Sequence, residues 1–314
     1  RVRSARRTNG ERTGAALPAR WHDDAMDATT NDRVTADVAA RMRTHVGGDP
    51  ATVGSELITT AMRPVVTVPE VATPEVSVVV VTYGTGPIVV ECVAAVAATL
   101  AGQPYEVIVV DQPPPPGADR AVAAAARLRL VTSGVRLVSS PANYGFGGGN
   151  ALGVARATAP LVVLLNPDAI VWPGWFAPLA TALDDPGVGI AAPVLLNPDG
   201  TVQEAGQTLT GADTAPIVDL PATPVADVAY SSAACWVLRR ADWERVGGFD
   251  PAYHPAYFED VDLALRMRRL GLRSVVVPDS RVVHHTGTST REAPRPAFAQ
   301  QAVFRQRWTV TTGV

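Results

Sequence analysis

Lysine is absent: the 314 residues carry 27 basic side chains and every one is arginine. Schiff-base catalysis and the P-loop lysine are therefore excluded. A GC-rich coding bias accounts for the absence as well as any function does. Cysteine is scarce too, with only Cys92 and Cys235, both inside apolar runs. There is no CxxC and no Cys/His cluster, which excludes a thiolate metal site and a disulfide framework. Two reduced core cysteines in a cytoplasmic protein are the expectation. Long hydrophobic runs are also missing. The longest, such as "VVVV" at 78–81 and "LVVLL" at 161–165, fall far short of the roughly 20 residues that a membrane span needs. The arginine-rich beginning has no apolar stretch behind it, so no secretory signal is expected and the chain reads as soluble. Aromatic residues make up 6% and the net charge is −3, which argues against nucleic acid as a partner. What is present is a globular composition, 47% hydrophobic and 18% charged, long enough for one large or two modest domains.

Three regions follow one another. Residues 1–70 form an N-terminal extension, with an irregular first 25 residues and one expected helix from a cap at Thr30 or Asn31 along Val34, Val38, Met42 and Val46. "RPVVTVPEVATPE" (63–75) reads as an extended linker because its prolines forbid helix. Residues 71–290 alternate short apolar strands with helical patterns: "VSVVVV", "EVIVVD", "VRLVSS" and "LVVLLN", each followed by a helix. The glycine-rich loop after "VRLVSS" is expected to precede a helix near 150–157. Continuous Val/Ile/Leu runs covered on both faces are the mark of a parallel, doubly wound α/β sheet. Further on, "VGIAAPVLL" and "TVQEAGQ" around Asp199-Gly200 predict a hairpin, and residues 213–227 a proline-studded loop that could act as a lid. A strand at "SSAACWVLRR", a helix over 257–271 and a strand at "SVVVPD" complete the core. Residues 291–314 form a helical tail.

Ligands of such sheets bind at the carboxyl ends of the strands. The residues there are Thr82-Tyr83-Gly84, Asp111, Asn143 and Asn166-Pro167-Asp168. Asp168 suits a Mg²⁺ or Mn²⁺ ion bridging a diphosphate, though Asn-Pro-Asp is equally good turn chemistry. Asp111 suits a ribose or base edge, or a helix cap. "NYGFGGGN" (143–150) lacks the P-loop lysine and the GxGxxG spacing, but its glycines would let a nucleotide approach a helix N-terminus. Of the adjacent His284 and His285, at most one can enter a site, because neighbouring strand residues face opposite ways.

The segment "YFEDVDLALRMRRLG" (257–271) places Glu259, Asp260 and Asp262 at the start of an amphipathic helix. Adjacent helix positions diverge by about 100°, so Glu259 and Asp260 cannot both aim at one atom. Periodicity alone reads these acids as helix-starting carboxylates.

Taken in order, "VSVVVVTYG", "EVIVVD", "NYGFGGGNALGV", "LVVLLNPDAIVWPGW" and the long run from "AACWVLRRADWERVGGFD" through "FEDVDLALRMRRLG" to "VVHH" resemble the inverting nucleotide-sugar glycosyltransferases of family two. The likeness is to their rhamnosyltransferase-like branch, and it spans about Val76 to Ser289. It implies the A-type glycosyltransferase fold, a mostly parallel doubly wound nucleotide-binding sheet with a smaller acceptor-binding region. It further implies a nucleoside-diphosphate sugar donor, a glycan or lipid-linked acceptor of cell-wall or surface-glycan synthesis, and a divalent metal, Mg²⁺ or Mn²⁺. By the same resemblance Thr82, Tyr83, Gly84 and Asp111 line the nucleoside pocket, and Asn143, Gly148, Gly149 and Asn150 lie near the donor. Asp168 stands at the metal-binding position with Asn166 beside it, and His284 is a metal or phosphate contact. Asp260 is the general base, while Glu259, Trp236 and Asp262 fall at the acceptor or behind it.

Two features depart from the family pattern: Gly84 replaces an Asn common after the "TY" pair, and "DQPPPPG" replaces polar residues after the second strand. Both touch the nucleoside pocket and keep open a catalytically silent sugar-nucleotide-binding module. A nucleotidyltransferase, sharing the sheet and the metal acid, is the third reading. The tail "AFAQQAVFRQRW" would turn Phe298, Val303 and Phe304 inward. Arg305, Arg307 and Trp308 then either pack on the core or meet an anionic lipid-linked acceptor at the inner membrane face.

Overall fold

The computed structural model describes residues 67–286 and 297–308. The helix expected over 31–46, most of the N-terminal extension and the Phe298 side chain lie outside the described residues.

The chain builds one large sheet, ordered β10-β12-β6-β11-β4-β1-β2-β3. Four apolar strands form one half of it: β1 (Val76–Tyr83), β2 (Tyr105–Gln112), β3 (Arg136–Ser139) and β4 (Leu161–Leu165), all parallel. β-Branched side chains suit a pleated surface buried on both faces. Val78, Val79 and Val80 are fully buried, each contributing about 1.5–3 kcal/mol over its exposed state. β11 (Cys235–Arg239) runs antiparallel between β4 and β6 (Val188–Leu196), and β12 (Arg273–His284) returns parallel to β6. β10 (Ala226–Val228) closes the edge.

Helices cover both faces. α1 (Ile88–Thr99), α2 (Arg120–Thr132) and α4 (Phe176–Ala182) pack on one side. α3 (Gly145–Val154), α5 (Arg240–Val246), α6 (Glu259–Arg269) and α7 (Ala297–Trp308) pack on the other. The parallel α/β architecture read from the Val/Ile/Leu runs is thus present.

Several boundaries differ from the sequence reading. The glycines of "NYGFGGGN" do not precede a helix but form the first turns of α3. β12 does not stop near Asp279: it passes a register shift between Val277 and Arg281 and continues to His284. That continuation pairs with β5 (Ala169–Val171), setting His284 opposite Ala169. The expected hairpin exists, β6 pairing with β7 (Val202–Glu204). Within the expected proline-rich loop, β9 (Asp213–Pro216) pairs with β8 (Gln207–Thr210), and β10 joins the main sheet. Only 217–225 stays irregular. No helix among the described residues is long and apolar enough to cross a membrane.

α7 packs on the core, as the first reading of the tail expected. Phe304 is fully buried and Trp308 nearly so, while Arg307 bridges Asp250 at 2.6 Å and Asp262 at 3.0 Å. Trp308 is thereby committed to the core, while Arg307 is ion-paired but keeps an exposed face.

Candidate active site

The parallel strands end side by side, with Thr82 in register with Asp111 and Asp111 with Ser139. Thr82 donates to Thr85 Oγ1 at 3.0 Å, and Tyr83 is half-buried beside it. Gly84 has φ +65°, and a Cβ there would lie 2.6 Å from Pro115 Cδ. A left-handed backbone against a proline ring admits only glycine. The two departures from the family pattern thus pack against each other. Asp111 is ion-paired with Arg127, which also donates to Ser139. Burial raises the Asp111 pKa by more than the Arg127 charge lowers it.

Gln112, which the sequence reading passed over, ties this edge to the glycine turn. It accepts from Tyr144 N at 2.7 Å and donates to Gly145 O at 3.3 Å. Asn143 accepts from Gly145 N at 2.8 Å, and Asn150 donates to Phe146 O at 3.0 Å. Gly148 is buried within α3. A Cβ on Gly149 would meet Val81 Cγ1 at 2.5 Å, so its missing side chain serves close helix–sheet packing.

The β5–β12 pairing brings Asp168 to His284, Oδ1 to Nε2 at 3.4 Å, and Asn166 Nδ2 lies 3.1 Å from the same nitrogen. Asn166 Oδ1 is buried without a hydrogen-bond partner. A carboxylate, an imidazole and an orphaned amide oxygen fit a hard divalent cation whose remaining ligands come from a diphosphate and water. No group of three or more His, Cys, Asp or Glu side chains gathers for a metal among the described residues, so the protein's share is small. Between the adjacent histidines, His284 faces Asp168, whereas His285 gives its backbone N–H to Asp168 O at 2.9 Å.

Asp260 opens α6 behind Tyr257 and Phe258, both left-handed at φ 81° and 70°. Non-glycine residues in that region carry strain of about 1–3 kcal/mol each and cluster at functional sites. Asp260 is half-buried as a residue, and its carboxyl accepts from Val261 N at 2.8 Å and from Ala233 N. Burial pushes its pKa up to about 6; the Val261 N–H pulls the other way and the Glu204 charge adds to the rise. Glu259 is buried with one carboxyl oxygen unpartnered, and burial, then Asp260, raises it well above the usual range.

Of the residues expected at the acceptor or behind it, two are buried and take the supporting place. Trp236 is fully buried, its indole N–H held by Ser231 Oγ at 2.9 Å and its ring against Phe249. Asp262 has no exposed surface and accepts from Tyr253, Arg266, Arg307 and Trp308. It anchors α6 between its own turn and α7 and touches no crevice. Spacing could not tell it from Asp260, because the partners that claim it come from distant helices.

The structure also supplies parts that the sequence reading missed. Ser232 N donates to Glu204 at 2.7 Å, Ala233 N to Asp260, and Ala234 O accepts from Asn166 N at 2.8 Å. One three-residue strap therefore links the acid of β7, the acid of α6 and the polar turn after β4.

A family model described as "Glycosyltransferase like family 2" matches residues 74–311. The O-antigen biosynthesis protein RfbC of Myxococcus xanthus is 35% identical over 149 residues, 43% of this chain but only 12% of that protein. The N-acetylglucosaminyl-diphospho-decaprenol L-rhamnosyltransferase of Mycobacterium tuberculosis is 28% identical over 256 residues, 71% of this chain and 80% of its own. Among solved structures, the mannosyltransferase PcManGT from Pyrobaculum calidifontis, in complex with GDP-Man and Mn²⁺, superposes with a TM-score of 0.54 at 21% identity, covering 90% of this chain and 77% of that one. The last likeness is one of fold, the A-type glycosyltransferase architecture.

Proposed function

The chain belongs to glycosyltransferase family 2, and on that premise we propose that it is a metal-dependent inverting glycosyltransferase. It moves a sugar from a nucleoside diphosphate to a hydroxyl of a glycan or lipid-linked acceptor in cell-wall or surface-glycan synthesis. The carrying observation is the strap at 232–234, whose neighbouring residues Ala233 and Ala234 hold Asp260 and Asn166 and so couple a base to the donor edge.

Asp260 takes the proton of the acceptor hydroxyl, whose oxygen attacks the anomeric carbon as the bond to the diphosphate breaks on the opposite side. A single in-line displacement inverts the anomeric centre. General-base help of this kind is worth about 10²–10⁴ in rate. Asp168 and His284 would hold the cation, with Asn166 beside them. When bound, the cation neutralises the charge developing on the departing diphosphate. Thr82, Tyr83 and Asp111 face the nucleoside, and the Gly84–Pro115 fit supports an intact pocket, which turnover and not binding then distinguishes from a silent binding module.

The mycobacterial relative, named for L-rhamnosyl transfer onto a decaprenyl-linked diphosphosugar, makes rhamnose the first donor sugar to test. We assign catalysis to residues 71–290 with the helix at 297–308 packed on them. The setting proposed is cytoplasmic, at the inner membrane face where a lipid-linked acceptor is presented. The test is transfer from a panel of nucleoside-diphosphate sugars to a lipid-linked acceptor, with anomeric configuration read by NMR. Retained configuration, or donor binding without turnover on any acceptor, would refute the proposal.

A further inference from the structure

We propose that Gln203, on β7, is a positioning residue that locks His284 in the tautomer protonated on Nδ1 and thereby keeps Nε2 an unprotonated acceptor, able to exchange its Asn166 contact for the cation. The inference rests on the reading of Asp168 and His284 as cation ligands and adds the residue that prepares one of them.

The polarity of the contacts fixes the proton. Asp199 is solvent-exposed, and hydrogen bonds from the Thr201 hydroxyl and N–H lower its pKa, so it only accepts. The Thr201 hydroxyl donates to Asp199 at 2.6 Å and must therefore accept from Asn197 Nδ2 at 3.0 Å. Asn197 is thus turned with Oδ1 toward Gln203 Nε2, which donates to it at 3.0 Å. The same Nε2 donates to the His284 carbonyl at 3.1 Å, and a carbonyl can only accept. From both sides Gln203 is oriented alike, with Oε1 facing His284 Nδ1 at 2.9 Å. An amide oxygen cannot donate, so Nδ1 carries the proton. Nε2 is then an acceptor, consistent with Asn166 Nδ2 lying 3.1 Å away, and it is the atom nearest Asp168.

This arrangement differs from what imidazole prefers unaided, since a free neutral histidine side chain favours the proton on Nε2, the form that could not bind a cation there. Partners that hold the second nitrogen of a ligating histidine commonly change metal affinity about 10–100-fold. The turn "NPDGT" between β6 and β7, which the sequence offered only as a turn signal, is here the far end of a hydrogen-bond relay reaching the donor edge.

The test uses the full chain labelled with ¹⁵N-histidine, cation-free, at about pH 8 so that imidazoles are neutral. Two-bond ¹H–¹⁵N spectra report which nitrogen of each of the five histidines is protonated, and His284→Gln assigns the resonance. Wild-type His284 is expected in the Nδ1–H form, and its appearance as Nε2–H overturns the proposal without any variant. Gln203→Leu is expected to shift His284 toward Nε2–H. Gln203→Glu, which keeps an acceptor against Nδ1, is expected to restore the signature, and it decides the matter if the leucine variant fails to fold. In parallel, Mn²⁺ affinity is read by electron paramagnetic resonance in the presence of pyrophosphate. Gln203→Leu should weaken it about 10–100-fold and Gln203→Glu should recover part of the loss. An unchanged tautomer or unchanged affinity in Gln203→Leu overturns the proposal. Wild-type protein that takes up no Mn²⁺ overturns the cation-site reading instead, and the cation-free spectrum keeps the two failures apart.

Discussion

Asp260→Asn separates a base from a helix-starting acid, because the two roles predict stability changes of opposite sign. The folded Asp260 titrates near about 6, against a reference of 3.8, so between those values the native state binds the extra proton. Stability from this group is then fully present below about pH 4 and is lost as pH rises through about 6. The full rise corresponds to about 3 kcal/mol. Because the residue is only half-buried, a working figure of about 1–2 kcal/mol is appropriate. Asparagine removes the charge, retains an oxygen for the Val261 N–H, and relieves the repulsion with Glu204 and Glu259. Urea unfolding at pH 8 should find the variant about 1–2 kcal/mol more stable than wild type, with the gap closing near pH 4. Transfer should fall by about 10²–10⁴. In wild type, kcat/KM should rise with pH along an acidic limb near about 6. A carboxylate that merely greets helix N–H groups gives the reverse, a loss of about 0.3–1 kcal/mol on neutralisation. Destabilisation at pH 8, or a stability difference that ignores pH, would refute the reasoning.

Gly84→Ala should destabilise by about 1–3 kcal/mol in thermal melts, since it adds a Cβ in a left-handed backbone against Pro115. Pro115→Ala in the same chain should recover part of that loss, and strict additivity would argue against the contact. Asp262→Ala leaves Arg266 and Arg307 facing a buried void and should cost about 3–5 kcal/mol in denaturant unfolding. Chelation with EDTA, or Asp168→Ala, should abolish transfer and make Mn²⁺ unable to raise the melting temperature in the presence of a nucleoside diphosphate. Full activity after exhaustive chelation would remove the cation from the mechanism.

The large sheet was legible because its signal is local. Runs such as "VSVVVV" can bury only by lying between helices, whatever the rest of the chain does. Asp168 and Asp260 were legible as candidates because each sits at an element's end. Their partners were not. β7 is three residues long, too short for any period to show, and it brings Gln203 and Glu204 into the site only by folding back on β6. β12 looked finished at "VVVPD" because proline and aspartate are poor strand residues; the register shift carries the strand past them to His284. Trp236 and Asp262 looked functional by neighbourhood alone, and their burial is decided by Ser231 and by α7, contacts with no sequence signature. The glycines of α3 suggested a phosphate cradle because a glycine that admits a ligand and one that admits a neighbouring valine are spelled alike.

The strap at 232–234 carries a consequence for anyone mapping this enzyme by substitution. Its bonds to Glu204, Asp260 and Asn166 all use main-chain atoms, and two of its three residues are already alanine. An alanine scan would therefore leave every one of those bonds in place and touch the strap only at Ser232, whose Oγ accepts from Ala234 N at 3.3 Å. Only a change that removes an N–H or bends the chain, such as proline at 233, would reveal the strap.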